Sequence, residues 1–366
     1  GAGCDWWGGP WVGGSPAGHA PYSMAMRALR RFRWSEVPKR RKKMVYAGVA
    51  AAGVTATLEF KFRECIDIVG NPAQITSPHT IFWLRLLFGR MRSRWFGALS
   101  EAYLPVALRS PIYRLYAWGV GVDLEEVRYP LDSFRTFNDF FCRTLRDGTR
   151  PVADVPAGLV SPVDGDVLTY GVITSQQARV EQVKGATYHV PAFLGVDPVE
   201  AKEPTSTVHY VVLYLGAQHY HRIHSPCEVS ISQGRHFCGE VLPVRSPFLK
   251  RFNDVFTVNE RVVLTGKWRF GQMHMALVAA ANTGNIFLDF DQKLKTNKLR
   301  DIAVHCGGDV SSKLYPSGVS LGPGSPVGGF RLGSTVVLIF EAPQNFQWKV
   351  DVGSSVRMGQ ALGEAL

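Results

Sequence analysis

Short runs of β-branched and aromatic residues, separated by glycine and proline, follow Pro151 and constrain the fold of this chain more than any other feature. The runs span residues 167–172, 208–215, 229–232, 261–264, 274–280, 286–290 and 335–340. Runs of this length and composition predict strands joined by turns. We therefore predict a predominantly antiparallel β domain over residues 151–366. The Gly/Ser/Pro-rich stretch 303–329 predicts a flexible loop that leads into the last long strand.

The end of the chain predicts a smaller β element. Residues 350–363 read as the strand-turn-strand half of a lipoyl-like barrel-sandwich, and residues 158–171 are expected to supply the matching half. Residues 59–150 have a different pattern and predict helices. Phenylalanines that recur with helical spacing indicate a helix over 133–146, and Pro111 is placed to open a helix over 112–118. The predicted fold class is therefore α+β.

The positive charge of the chain is concentrated near its beginning. Residues 1–43 contain nine Lys/Arg and two Asp/Glu, which gives +7 of the formal net charge of +11. We expect residues 1–43 to be a disordered basic segment, and 24–43 resembles a mitochondrial transit peptide, with a solvated basic arm as the alternative. No zinc-finger, RNP-like or helix-turn-helix pattern supports binding to nucleic acid.

Two segments after the basic region are candidates for membrane contact. Residues 44–58 carry no charge, but as a helix they would be about 22 Å long. They are therefore a possible single transmembrane helix, with a buried helix or the apolar region of a signal-like segment as alternatives. Residues 80–96 mix bulky aromatics with arginines, which suits a helix lying in a lipid interface. An ordinary amphipathic helix packed on the core would give the same pattern.

Cysteine and histidine usage gives little support to disulfides or metals. The six cysteines form no CxxC pair, so neither a disulfide framework nor a thiol-rich metal site is expected. His219, His221 and His224 cluster, but no HExxH pattern or carboxylate spacing accompanies them, and we predict no metal site. The preceding strand and Pro226 favour a loop or a strand end for these histidines.

A serine near the end of the chain precedes a strongly apolar run. Leu332-Gly333-Ser334-Thr335 leads into Val-Val-Leu-Ile-Phe, and such a tetrapeptide alone is compatible with an ordinary turn. A serine can also attack the carbonyl of the residue before it, and glycine at that position offers little hindrance and tolerates strained backbone. The resulting ester could eliminate, cut the chain, and leave dehydroalanine that hydrolyses to a pyruvoyl group. That ketone is an electron sink, comparable to pyridoxal phosphate.

Other motifs in the chain, taken together with the serine segment, point to one family of proteins. They are Ser161-Pro162-Val163-Asp164-Gly165, residues 220–226 (Tyr-His-Arg-Ile-His-Ser-Pro), residues 137–145 (Phe-Asn-Asp-Phe-Phe-Cys-Arg-Thr-Leu) and Arg150-Pro151. Together with Leu332-Gly333-Ser334-Thr335, and in the order in which they occur along the chain, they resemble the signature set of the phosphatidylserine decarboxylases of the LGST type. The resemblance is to mitochondrial members of that family. The resemblance runs from about Phe137 to the C-terminus.

The resemblance implies a function and a site. It implies decarboxylation of phosphatidylserine to phosphatidylethanolamine and carbon dioxide, through a Schiff base with a pyruvoyl cofactor made from Ser334. Cleavage between Gly333 and Ser334 would leave a β chain 1–333 and an α chain 334–366. His224 is implied as the base that activates Ser334, Asp164 as the carboxylate that orients it, and His221 as the proton donor after carbon dioxide leaves.

The resemblance also implies a cellular setting. It implies N-terminal membrane-associated helices, a phosphatidylserine substrate held in a lipid bilayer, and a place in the mitochondrial inner membrane with the catalytic domain facing the intermembrane space. A homodimer is compatible with the sequence.

Two other classes of function remain open at this point. A serine hydrolase could use Ser334, His224 and Asp164 without cutting the chain, although no Gly-x-Ser-x-Gly elbow is present. A non-enzymatic lipoyl-like carrier or membrane scaffold would need a modified lysine, and Lys349 does not stand at a clear hairpin tip. Only the decarboxylase demands a released peptide that begins at residue 334.

Overall fold

The computed structural model describes residues 90–173, 179–183, 186–196, 205–244, 246–250, 254–280, 285–294, 296 and 310–366. The described helices are α1 (Arg90–Ser100), α2 (Val106–Val120), α3 (Phe137–Phe141), α4 (Val190–Leu194), α5 (Ser246–Leu249) and α6 (Val255–Val258), with a 3₁₀ turn at Leu131–Ser133. The described strands are β1 (Gly158–Val160), β2 (Gly165–Ile173), β3 (Arg179–Val183), β4 (Ala186–His189), β5 (Ser206–Leu215), β6 (Arg222–His224), β7 (Val229–Phe237), β8 (Arg261–Trp268), β9 (Gly271–Ala279), β10 (Asn285–Leu288), β11 (Val310–Leu321), β12 (Pro326–Arg331), β13 (Ser334–Pro343), β14 (Phe346–Trp348), β15 (Ser355–Val356) and β16 (Ala361–Ala365).

An eight-stranded sheet forms the centre of the described structure. Its order is β11-β7-β8-β9-β13-β5-β2-β15, and every neighbouring pair is antiparallel. Each of the seven runs predicted as strands lies at a strand of the structure, so the prediction of a mostly antiparallel β domain is confirmed. With its few helices, the protein is consistent with the α+β class.

Strand β13 lies in the middle of this sheet, and both of its faces are covered. Val336, Leu338 and Phe340 point into one apolar core, whereas Val337 and Ile339 point into a second core on the opposite face. Because successive side chains of a strand point to opposite faces, a strand covered on both sides needs a continuous apolar run. The run that follows Thr335 therefore fits a central strand.

A three-stranded sheet contains the strand that directly precedes β13 in the chain. Its order is β10-β12-β6, with β12 in the middle. Only Leu332 and Gly333 separate β12 from β13. The prediction of a loop over 303–329 is wrong from residue 310 onward, because β11 and β12 occupy much of that stretch. β11 is an edge strand with mostly exposed side chains, so its composition resembles that of a loop, and pairing with β7 makes it a strand.

The two segments expected to form a barrel-sandwich lie next to each other. β1 pairs with β16 and β2 pairs with β15, both antiparallel. These pairings bring the region around residues 158–171 against the region around 350–363. The barrel-sandwich itself stays a prediction.

The described helices before the sheet pack around a cluster of aromatic rings. Tyr113 of α2 stacks on Phe140 of α3 with ring centroids 4.5 Å apart, and Phe134 meets both rings edge-on. The predicted helix over 133–146 is wrong in extent, because only Phe137–Phe141 is helical. A capping box at Thr136 starts it, and after Cys142 the chain turns into an antiparallel bridge between Leu145 and Val127.

Helix α2 also differs from its prediction. It begins at Val106 rather than at Pro111, so that Pro111 lies inside the helix. No described helix is both long enough and apolar enough to cross a bilayer. The predictions for residues 1–43, 44–58 and the first part of 80–96 concern residues outside the described ranges.

Candidate active site

The backbone just before Ser334 adopts a conformation that L-residues avoid. Leu332 has φ of 74° and Gly333 has φ of 37°. Gly333 tolerates this region, but a leucine in it costs about 1–2 kcal/mol. Among the described residues, Leu332 and Asp254 are the only non-glycine residues with positive φ. Strain therefore lies directly beside the Gly333–Ser334 peptide bond.

Ser334 itself is held rigidly at the start of β13. Its neighbours across the sheet are Leu215 of β5 and Ala279 of β9. The side chain is fully buried, and its hydroxyl has no hydrogen-bond partner among the described residues. A buried hydroxyl without a partner is unfavourable and calls for an explanation, of which a reacting group is one.

His224 lies at the end of β6 and has both ring nitrogens engaged. Nδ1 donates to the Gly324 carbonyl oxygen at 2.7 Å, because a carbonyl can only accept. Nε2 therefore accepts from the Tyr220 hydroxyl, at 3.1 Å. Burial lowers the pKa of His224, so the ring is neutral at pH 7. Its Nε2 lone pair is the one that a base would use.

Asp164 is buried near His224, but its hydrogen bonds go elsewhere. The backbone N–H of His224 donates to the Pro162 carbonyl, two residues before Asp164. Arg150 donates to both carboxylate oxygens of Asp164, with the shortest N–O distance 2.7 Å, and the Met358 N–H donates at 2.8 Å. The structure thus brings Asp164 and His224 into one neighbourhood without a hydrogen bond between them.

Arg150 is the hydrogen-bond partner of Asp164 that the sequence did not predict. It pairs with Glu126 as well as with Asp164, each through two nitrogens. All three side chains are largely buried. The Arg-Pro motif marked the position of Arg150, but nothing local to the motif indicates which carboxylates it meets. Tyr220, which contacts His224, was likewise not predicted.

His221 lies just before β6, as expected for a loop or strand end, and has one free nitrogen. Nδ1 donates to the His219 carbonyl oxygen at 2.8 Å, and the ring packs 4.1 Å from the ring of Phe141. Nε2 is buried and has no partner in the part of the chain that the structure describes. Burial lowers the pKa of His221 to about 3, so that it is neutral at pH 7.

Hydrogen bonds connect the loop of His219 and His221 to the serine segment from two sides. The His221 carbonyl accepts from the N–H of Phe330, four residues before Ser334. On the other side, the N–H of Gly216 donates to His219 Nδ1 at 2.9 Å, and Gly216 follows Leu215, the strand partner of Ser334. The loop that carries the histidines therefore borders the beginning of β13.

A groove of about 700 Å³ lies on another part of the described surface. Its lining includes Pro156, Glu228, Lys267 and Arg269, and none of Asp164, His221, His224 or Ser334. The groove therefore does not coincide with the candidate active site, whose chemistry is carried by buried side chains.

Comparison with known proteins shows the family. The phosphatidylserine decarboxylase family model matches residues 137–364. The chain is 46% identical to a protein of Toxoplasma gondii named phosphatidylserine decarboxylase proenzyme 1, mitochondrial, over 95% of this chain and 86% of that one. It is 35% identical to the rat protein named phosphatidylserine decarboxylase proenzyme, mitochondrial, over 87% and 83% of the two chains. It is 34% identical to a Plasmodium falciparum phosphatidylserine decarboxylase proenzyme, over 88% and 89%.

The chain therefore belongs to the phosphatidylserine decarboxylase family, as its motifs indicated. It is an enzyme of the decarboxylase class.

Proposed function

We propose that this protein converts phosphatidylserine to phosphatidylethanolamine and carbon dioxide, using a pyruvoyl group that it makes by cutting its own chain between Gly333 and Ser334. One observation carries the proposal: a fully buried serine hydroxyl without a partner directly follows two residues with positive φ. The relatives are named proenzymes, and this supports processing of the chain.

The chain's own residues supply what cleavage requires. Ser334 Oγ attacks the Gly333 carbonyl carbon and gives its proton to a base, which passes it to the departing Ser334 nitrogen, so that the amide becomes an ester. Loss of the Ser334 α-proton then expels the Gly333 carboxylate and cuts the chain. The dehydroalanine left at position 334 hydrolyses to the pyruvoyl group and releases ammonia.

His224 is the base in this proposal by the resemblance, and it is neutral with a lone pair on Nε2. Its strand partner is Pro326, eight residues before Ser334, so the attack requires His224 and Ser334 to move together. Tyr220 occupies that lone pair and must yield it during the attack. Relief of the strain at Leu332, next to Gly333, favours opening of the peptide bond.

Asp164 acts on this base through the electrostatic field rather than by contact. Its negative charge favours the protonated form of His224 that arises during the attack. Arg150 and the Met358 N–H fix the position of that charge. We propose that Asp164 serves self-processing in this way, and the direct triad implied by the resemblance would require a local rearrangement.

The residues present fit a pyruvoyl group at position 334. Ser334 lies buried at the start of β13, beside the loop that holds His221, and among the described residues its hydroxyl makes no hydrogen bond that its conversion would break. When present, the pyruvoyl group supplies a carbonyl that accepts the electrons released as carbon dioxide leaves.

His221 is suited to moving protons on the substrate. Its Nδ1–H is committed to the His219 carbonyl, so that Nε2 is the free position. A neutral imidazole can take the proton that the substrate ammonium must lose and can return a proton to the α-carbon after decarboxylation. Its contact with Phe141 keeps this exchange away from water.

Exposed apolar side chains on the first helices support contact with a bilayer that holds the substrate. Trp95 of α1 and Trp118 of α2 are 75% and 84% exposed, and Tyr103 and Leu115 are exposed as well. Aromatic side chains of this kind suit a membrane interface. We propose that 59–150 is the membrane-associated region and 151–366 the catalytic domain.

The proposed cellular location rests on the sequence and on the names of the relatives. The relatives from Toxoplasma gondii and rat are named mitochondrial. We propose the mitochondrial inner membrane, with the catalytic domain on the intermembrane-space side, and an enzyme made of the two chains 1–333 and 334–366.

Intact mass and a denaturing gel test the proposal. The wild-type protein should yield a peptide of 33 residues whose N-terminal residue has the mass of a pyruvoyl group, and borohydride with substrate should fix an adduct on that peptide. Ser334→Ala should remain full length and inactive. An intact chain that hydrolyses esters through Ser334 would instead support the serine hydrolase, and an adduct on a lysine would rule out the pyruvoyl mechanism.

A further inference from the structure

Arg143 is a buried cation that forms no ion pair with a carboxylate of the described residues. Its side chain is 4% exposed, and within the described ranges its Nε and Nη1 have no hydrogen-bond partner. Nη2 reaches the Gln218 carbonyl oxygen only at 3.5 Å. The carboxylates of Glu126 and Asp164 both pair with Arg150 instead.

An arginine in this condition is costly for the folded protein. A buried charge without an ion-pair partner loses its hydration, and the more distant charges of Asp164 and Glu126 offset only part of that loss, so that burial still lowers the pKa of Arg143. A cation–ring contact with Phe140, at 5.5 Å from the ring centroid, offsets only part of that loss. A guanidinium held in place with free donors is instead suited to an incoming anion, because its planar fork binds carboxylate or phosphate oxygens through two hydrogen bonds.

The position of Arg143 ties it to the candidate active site. The two residues before it both contact that site: the Phe141 ring packs on His221, and the Cys142 thiol donates to the Phe330 carbonyl oxygen at 3.1 Å. Gln218, its one acceptor, belongs to the loop that carries His221. The charge of Arg143 also contributes to the low pKa of His221, after the larger effect of burial.

We propose that Arg143 binds the phosphodiester group of the substrate and so fixes the headgroup beside His221. This inference rests on the proposed function and adds the residue that recognises the substrate. The substrate carries two anions that a guanidinium could bind, a carboxylate and a phosphodiester. An ion pair with the carboxylate would stabilise the bound substrate more than the transition state, in which that charge is leaving. The phosphodiester keeps its charge throughout, so binding it costs nothing in the chemical step.

The test uses the self-processed enzyme with Arg143→Met, Arg143→Lys and the control Arg128→Met, which alters an exposed arginine paired with Asp147. Calorimetry measures binding of dihexanoyl phosphatidylethanolamine, which has the phosphodiester but no carboxylate. Kinetics measure KM and kcat for dihexanoyl phosphatidylserine. Arg143→Met should weaken binding of the product analogue about 10- to 100-fold and raise KM by a similar factor, with a smaller change in kcat. Arg143→Lys should recover part of the loss, and the control should change neither.

Thermal unfolding separates recognition from a structural role. Removing an unpaired buried charge should leave the melting temperature of Arg143→Met unchanged or higher. A large fall in melting temperature with an uncleaved chain would mark Arg143 as structural and overturn the inference. A raised KM with unchanged binding of the product analogue would assign Arg143 to the carboxylate and also overturn it.

The same measurements distinguish this inference from the proposed function. A wild-type protein that binds dihexanoyl phosphatidylethanolamine through Arg143 but releases no carbon dioxide would refute the proposed function and keep the anion site. A wild-type decarboxylase whose Arg143 variants bind both lipids normally would refute only the inference.

Discussion

Replacing Arg150 by methionine should destabilise the protein strongly, because it breaks a buried network on one side only. Arg150 donates hydrogen bonds to both oxygens of Glu126 and of Asp164, all between 2.7 and 3.2 Å. The Arg150 and Asp164 side chains are each only 8% exposed. After the replacement Asp164 keeps the Met358 N–H, but no ion-pair partner for it remains among the described residues. The remaining buried carboxylate is the main source of the loss.

The size of the effect follows from this geometry. Removing one member of a buried ion pair costs about 3–5 kcal/mol, most of it the cost of leaving the other charge unpaired. For a protein of this size that loss corresponds to a melting temperature lower by on the order of 10 °C. Adding Asp164→Asn to Arg150→Met removes the stranded charge. The double variant should therefore be more stable than the sum of the single effects predicts, by about 2–3 kcal/mol.

The assay needs a chain that stays in one piece. All variants are made in the Ser334→Ala background, and urea unfolding measures the free energy of unfolding. Arg128→Met is the matched control, because Arg128 pairs with Asp147 in the open, and its loss should cost less than about 1 kcal/mol. Equal losses for Arg150→Met and Arg128→Met, or strict additivity with Asp164→Asn, would refute the reasoning. In a chain that retains Ser334, Arg150→Met should also slow self-cleavage.

Three further predictions concern pH, the order of steps and the membrane. Burial lowers the pKa of His221 to about 3 and of His209 and His274 to about 4. Below their ordinary pKa of about 6.5 the unfolded chain therefore binds protons that the folded protein does not, and these three groups together should lower the free energy of unfolding by about 6 kcal/mol from pH 7 to pH 5 in urea unfolding. In His274→Gln this fall should be smaller by about a third, and an unchanged fall would contradict the assignment. On a denaturing gel His224→Ala should remain uncleaved, whereas His221→Ala should release the 33-residue peptide and turn over poorly; equal failure of cleavage would show that the two roles are wrongly divided. Replacing Trp95 and Trp118 by serine should weaken binding to phosphatidylserine vesicles at least about tenfold in a sedimentation assay and leave cleavage intact, whereas unchanged binding would contradict the proposed interface.

The strands could be predicted from sequence because each carries its own apolar pattern. The run from Val336 to Phe340 is apolar at every position, as a strand covered on both faces requires. β11 was missed because an exposed edge strand has no such pattern and depends on its neighbour β7. The helix over 133–146 was overestimated because tertiary contacts end it early: Phe141 packs on His221 and Cys142 bonds to Phe330.

For the candidate site, the sequence predicted the residues but not most of their contacts. Ser334, His221, His224 and Asp164 stand in motifs, and those motifs lead to their roles by resemblance. Several of their partners lie outside the motif that contains each residue, so no local pattern specifies those contacts. Asp164 meets Arg150 and Met358, and His224 meets Gly324, 100 residues further along. The absence of a partner at Arg143 is likewise a property of the folded protein alone.

The position of the serine between two sheets explains how a cut chain can remain one enzyme. β12 belongs to the three-stranded sheet and β13 to the eight-stranded sheet, and only Leu332 and Gly333 connect them. So short a connection forces the change of direction onto two residues, and both adopt positive φ. Cleavage after Gly333 would release this constraint and leave β13 paired with β5 along its ten residues and with β9 along seven. The new terminus at position 334 would therefore stay beside the loop of His221, held by the strand that would position Ser334 for its proposed attack on Gly333.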